Sequence, residues 1–317
     1  MSSSPYRVTA IALAAGLVML PLAACNRTSP SAGGGTGSTA KKITMAISTL
    51  NNPFFVSLKE GAVAEAAKLG VTLAVVDAQN DAATQANQLA NAQSQGAQAV
   101  IVNPVDSDGA GPPVKALNAA KIPVVAVDRT VTGASVASFV ASDNVAGGKQ
   151  AAAELGKLLA GKGDIIVLQG TAGTSASRDR GTGFAEGIKA FPGINVVATQ
   201  TANFDRTQGL NVTTNLMQAH PSVVGIFAEN DEMALGAIKA VGAKAGNAIK
   251  LCAFDGTADG ITAVKAGTLS CTVAQLPEDL GKIAVDQAVK ALDGKADANV
   301  PVPTTVVTAA NVDTFKA

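Results

Sequence analysis

From Lys42 onward the chain alternates short β-branched runs with alanine-rich stretches of helix length. That alternation admits little besides βαβ units built on a parallel sheet. Strands are expected in a first series at 43–48, 71–77, 97–103, 122–128 and 136–141, and in a second at 164–169, 194–199, 224–229, 251–255 and 270–275. A helix at 279–292 and a strand at 304–308 remain, and a helix is expected over 53–69. The fold class is therefore α/β, with two doubly wound parallel-sheet lobes. Each lobe has its own crevice at the carboxyl ends of its strands.

The residues just past each strand carry the chemistry. The first series offers Asn52, Phe54 and Phe55, then Asn103, then Asp128 and Arg129. The second offers Arg178 and Arg180 after Gly173-Thr174-Ser175, then Phe204 before Asp205 and Arg206, Asn230 with Asp231 and Glu232, Phe254 with Asp255, and Gln275. With nine Phe, one Tyr and no Trp in the chain, two adjacent Phe at a strand end point to the crevice, although core packing would also use them. Asn52 before Pro53 reads as an N-cap with proline at the first helical position. Carboxylates accept hydroxyl protons, Arg and Asn donate them back, and Phe faces cover apolar C–H surface. Such a set suits a small, uncharged, polyhydroxylated ligand.

Other classes fare worse. Lys plus Arg number 24 and Asp plus Glu 24, scattered along the chain, so no footprint for nucleic acid is present. His220, the single histidine, precedes Pro221 and cannot build a metal cluster, and no cofactor is expected. No Gly-x-Ser-x-Gly elbow occurs. Asp128 and Asp255 could be cast as a glycosidase pair, but Arg129 and Arg180 would keep both ionised, which argues against a general acid and against an enzyme. Cys252 and Cys271 fall in neighbouring apolar runs, where either a disulfide or two buried thiols would fit.

The amino end reads as an export signal over 1–25, with Arg7 in a polar start and an apolar run over 11–22. Leu22-Ala23-Ala24-Cys25 resembles the bacterial lipobox, which would make Cys25 a lipidation site. Residues 26–42, rich in Ser, Gly and Thr, read as a disordered linker.

Several longer motifs carry a specific resemblance: Ser48-Thr49-Leu50-Asn51-Asn52-Pro53-Phe54-Phe55, Asn103-Pro104-Val105-Asp106, Ala141-Ser142-Asp143-Asn144, Asn230-Asp231-Glu232 and Phe254-Asp255-Gly256. They resemble the ribose-binding branch of the type I periplasmic binding proteins, which feed ABC importers. The likeness runs over essentially the whole chain after Lys42. It implies two lobes joined by three crossings, near 142–144, after Gln275 and near 301–303. The amino lobe would comprise 43–142 plus 276–302, and the carboxyl lobe 143–275 plus 303–317. It also implies that Asn52, Phe54, Phe55, Asn103, Asp128, Arg129, Arg180, Phe204, Asn230, Phe254, Asp255 and Gln275 contact D-ribose or a similar monosaccharide such as allose or xylose. Phe55 and Phe204 would sandwich the ring, with Phe54 and Phe254 walling the pocket. The expected partners are the permease subunits of an ABC importer, and the expected state is an extracytoplasmic monomer anchored to the membrane through Cys25. A sugar-responsive repressor would need a helix-turn-helix where the export signal stands. A sensor subunit presenting sugar to a receptor would use the same pocket.

Overall fold

The computed structural model describes residues 40–316. The export signal, Cys25 and nearly all of the 26–42 linker lie outside them. The first series forms β1 (Lys42–Ile47), α1 (Pro53–Lys68), β2 (Thr72–Asp77), α2 (Ala82–Ser94), β3 (Ala99–Val102), α3 (Gly111–Ala119), β4 (Val124–Val127) and β5 (Ser138–Ser142). The second forms α4 (Asn144–Leu158), β6 (Lys162–Gln169), α5 (Ser175–Gly187), β7 (Gly193–Thr201), α6 (Arg206–Ala219), β8 (Val223–Ala228), α7 (Asp231–Val241), β9 (Lys250–Asp255), α8 (Ala258–Lys265) and β10 (Cys271–Ala274). Then come α9 (Pro277–Leu292), β11 (Asn299–Val302) and β12 (Thr305–Thr308).

The strands make two sheets, in the orders β11-β5-β4-β3-β1-β2 and β12-β10-β9-β8-β6-β7. Five strands of each follow the same doubly wound order, which reverses direction beside the first strand, β1 or β6. Ligands of open α/β sheets bind at such reversals. Alternation along each strand feeds two cores. In the first sheet Ile43, Met45 and Ile47 pack beneath α1 and α9, whereas Ala46, Val100 and Val102 pack beneath α2 and α3. In the second, α4 and α5 cover one face, where Phe184 stacks on Phe227 at 4.2 Å, and α6, α7 and α8 cover the other.

Two details depart from the sequence reading. β12 runs antiparallel to β10, with Ala274 opposite Thr305. Because β11 ends at the crevice side of its sheet and only two residues intervene, β12 enters the second sheet from that side and must run backwards. Residues 299–302, given no strand by the sequence reading, which expects a crossing near 301–303, form an edge strand on β5 despite Pro301, since an edge tolerates the missing N–H.

Glycine lets the helices carrying site residues approach closely. A Cβ on Gly148 of α4 would stand 2.3 Å from the Arg180 carbonyl oxygen, and one on Gly183 of α5 would stand 2.1 Å from that of Val145. The seating of α5, and of Arg180 on it, therefore depends on two missing methyl groups. Cys252 and Cys271, paired in register on β9 and β10, form a disulfide.

Candidate functional site

Between the carboxyl ends of the two sheets lies a cavity lined by Asn52, Phe54, Phe55, Asp128, Arg129, Ala176, Arg180, Phe204, Asn230 and Asp255. Local backbone chemistry aims these side chains. Asn52 caps α1, its Oδ1 accepting from the Phe54 N–H at 2.9 Å, with Pro53 opening the helix. This cap turns Phe54 and Phe55 inward, edge to face at 5.1 Å, and both belong to the amino core as well as the cavity wall. Asn230 caps α7 in the same way, accepting from the Met233 N–H.

Three of the lining residues sit in left-handed backbone: Asp128 at φ 64°, Phe204 at 58° and Asp255 at 113°. Non-glycine residues take such conformations at a cost of about 1–3 kcal/mol, and they do so where the surroundings over-determine them. Phe204 also needs Gly170 beneath it, since a Cβ there would meet the ring at 2.0 Å.

In the amino half, Arg129 Nη1 donates to the Pro104 carbonyl at 2.9 Å, and Nε lies 3.5 Å from Asp128 Oδ2. Its guanidinium stands 5.2 Å from the Phe55 ring centre and 5.7 Å from that of Phe204. Arg129 Nε and Asp128 Oδ1 are buried without hydrogen-bond partners. In the carboxyl half, Arg180 donates through Nε to Asn144 Oδ1 at 2.9 Å, and through Nη1 to the Glu229 carbonyl at 2.7 Å and Asp255 Oδ1 at 3.3 Å. It also lies 4.0 Å over the Phe254 ring, a cation–π contact that fixes its plane.

Burial raises the pKa of Asp128, against the pull of Arg129 and Arg180 and the Asn103 hydrogen bond, and burial also raises that of Asp255, against Arg180. Desolvation therefore opposes the arginines at both carboxylates, a cost that the expectation of two ionised carboxylates leaves out. Burial likewise lowers the pKa of Arg129. Two carboxylates and two guanidiniums balance formally, so the cavity suits a neutral ligand whose hydroxyls replace lost hydration.

Three of the twelve expected residues stand behind the cavity wall. Asn103 donates to Asp128 Oδ2 and the Val127 carbonyl and accepts from the Ser48 N–H. Gln275 donates to Asp255 Oδ1 at 2.7 Å, its own Oε1 buried and unpaired. Phe254 is covered by Arg180 and α4. All three support the charged groups that line the space.

The structure adds residues that strand-end reasoning passes over. Asn144 and Glu229 hold Arg180, and Glu229 Oε2 also accepts from the Gly170 N–H and the Ser177 hydroxyl. Burial raises the Glu229 pKa to about 7. The two halves are laced at one rim, where Ser107 N–H donates to the Gly173 carbonyl, Ser175 N–H to Ser107 Oγ, and Thr130 N–H to Ser175 Oγ. Ser107 directly follows one of the motifs that carry the resemblance and Ser175 closes the Gly173-Thr174-Ser175 run, but nothing in their spacing reveals that they meet. Arg178, offered by the sequence together with Arg180, is not among the residues lining the cavity and pairs with Asp179 instead.

A family model described as a periplasmic binding protein domain matches residues 43–296. The chain belongs to that family. It is 50% identical over 264 residues to the ribose import binding protein of Salmonella typhimurium, covering 82% of this chain and 88% of the relative. It is 43% identical over 282 residues to the ribose import binding protein of Bacillus subtilis, covering 88% and 92%. A crystal structure of an ABC transporter solute binding protein from Bacillus halodurans with bound myo-inositol matches with a TM-score of 0.83 at 33% identity, covering 88% and 98%. The two parallel-sheet lobes are those of this periplasmic binding protein fold, and its relatives are extracytoplasmic solute-binding proteins rather than enzymes.

Proposed function

We propose that this chain is an extracytoplasmic, sugar-binding component of an ABC importer that captures D-ribose between its lobes and has no enzymatic activity. One observation carries this reading. Two carboxylates, two guanidiniums and two opposed Phe side chains converge from both sheets on one space, where Asp128 Oδ1 and Arg129 Nε are buried and unpaired. A pentose supplies hydroxyls for those groups and C–H faces for Phe55 and Phe204. The bonds of Arg180 engage Nε and Nη1, leaving Nη2 for a hydroxyl. Hydrogen bonds to charged groups contribute about 1.5–3 kcal/mol each. Four charged side chains thus supply about 6–12 kcal/mol before ordering costs, much of what micromolar binding requires.

In this reading Asn52, Phe54, Asn230 and the four charged residues touch the sugar, while Asn103, Phe254 and Gln275 hold them in place. The lobes are 43–142 plus 276–302 and 143–275 plus 303–317. Ribose contacts both, so it favours the closed arrangement by differential affinity, and the closed form engages the permease. Lipidation of Cys25 tethers the monomer to the membrane. A second reading, in which the ligand is another monosaccharide or a cyclic polyol, draws support from the myo-inositol in the Bacillus halodurans relative.

Calorimetric titration against ribose, allose, xylose, glucose, galactose and myo-inositol tests both. Saturable one-to-one binding with ribose preferred by about tenfold or more supports the first reading. Preference for another compound, with ribose silent, would replace ribose while keeping the importer role. Release of products from pentosides would overturn the non-enzymatic assignment.

A further inference from the structure

Asp231 is wholly buried, follows the α7 cap and does not line the cavity, yet it holds three hydrogen bonds from outside its helix. Its Oδ2 accepts from the Thr257 N–H at 2.7 Å and the Thr257 hydroxyl at 2.9 Å, and its Oδ1 accepts from the Thr272 hydroxyl at 2.7 Å. Thr272 Oγ1 in turn accepts from the Gly256 N–H at 3.2 Å. These bonds flank one short turn, Asp255-Gly256-Thr257. Within it Asp255 has φ 113° and Gly256 φ 73°, and a Cβ on Gly256 would lie 2.4 Å from the Ala274 methyl. The turn is confined from both sides, by β10 below and by Asp231 from α7.

We infer that Asp231 is a positioning residue for sugar binding, which holds Asp255 in its left-handed conformation so that its carboxylate faces the ligand and Arg180. The inference rests on the proposed pocket. The remaining bonds of the turn hold other groups: Gln275 and Arg180 the Asp255 carboxylate, the Gln275 N–H its carbonyl, and the Ile261 N–H the Thr257 carbonyl. The N–H groups of Gly256 and Thr257 are left to Thr272 and Asp231. Without them, relaxation of Asp255 towards an ordinary φ would swing its carboxylate away from Arg180.

The test is a double-mutant cycle on the full chain, read by titration with whichever sugar of the panel the wild-type protein binds. Asp231→Ala is expected to weaken binding by about tenfold or more, and the near-isosteric Thr272→Val by several-fold. In an Asp255→Asn background both penalties should shrink to about twofold or less, because the group being positioned has lost its charge. Thr272→Val keeps the test available if Asp231→Ala fails to fold, and thermal melts report stability separately. Binding unchanged in folded variants, or penalties equal in both backgrounds, would overturn the positioning role. A wild-type protein silent towards every sugar would overturn the proposed function and this inference with it.

Discussion

Arg180, in the carboxyl half of the cleft, is held on several sides by Asn144, the Glu229 carbonyl, Asp255 and the face of Phe254. Arg129, in the amino half, has one backbone acceptor, a carboxylate at 3.5 Å and a buried, unpaired Nε. The carboxyl half therefore holds its guanidinium on more sides, while the amino half leaves Arg129 Nε and Asp128 Oδ1 unpaired. In the proposed reading a sugar meets an Arg180 that is already held in place, and completes the coordination of Arg129 and Asp128.

Replacing each arginine by methionine keeps the stem and removes the charge. For Arg180→Met, sugar affinity should fall on the order of 100-fold, and the ligand-free protein should lose about 3 kcal/mol, because Asp255 and the Glu229 carbonyl lose a buried partner. Arg129→Met should cost affinity by about tenfold to thirtyfold, with less than half that loss of ligand-free stability. Titration calorimetry and denaturant melts read both quantities. Equal destabilisation by the two variants would erase the asymmetry between the halves.

The next effect is smaller and apolar. Phe204→Ala should weaken binding by about tenfold, with little change in melting temperature, since the partly buried ring covers a ligand face more than it fills the core. An unchanged titration curve would remove Phe204 from the sandwich.

The smallest effect concerns pH and belongs to the carboxyl half. Glu229 has its pKa raised by burial, from 4.5 to about 7. The folded protein then takes up this proton before the unfolded chain does, so the contribution of Glu229 to stability grows as pH falls from about 7 towards 4.5. Melts of the ligand-free protein between pH 8 and pH 5, which spans most of that window, should show the wild type gaining on Glu229→Gln as pH falls. Parallel curves would show that Glu229 does not titrate there.

Much of the fold is legible in the sequence. The alternation of strand and helix and the doubling of the series are periodic properties, and they locate both sheets. Asn52-Pro53 announces its cap because capping depends on adjacent residues. Strand 299–302 stays hidden because Pro301 argues against a strand unless its edge position is known. The division of labour among the twelve residues is equally hidden. Asn103, Phe254 and Gln275 occupy the same topological positions as the groups they support, and only side-chain direction separates a contact from a prop. Glu229 and Asp231 act through partners tens of residues away, and no local pattern records such a meeting.

The most direct measurement is a crystal structure of residues 40–317 grown with ribose. The account predicts one pyranose ring between Phe55 and Phe204, its hydroxyls within hydrogen-bond reach of Asp128, Arg129, Arg180 and Asp255, and Arg129 Nε or Asp128 Oδ1 newly paired. Ribose held by one lobe alone, or bound away from these four side chains, would contradict it.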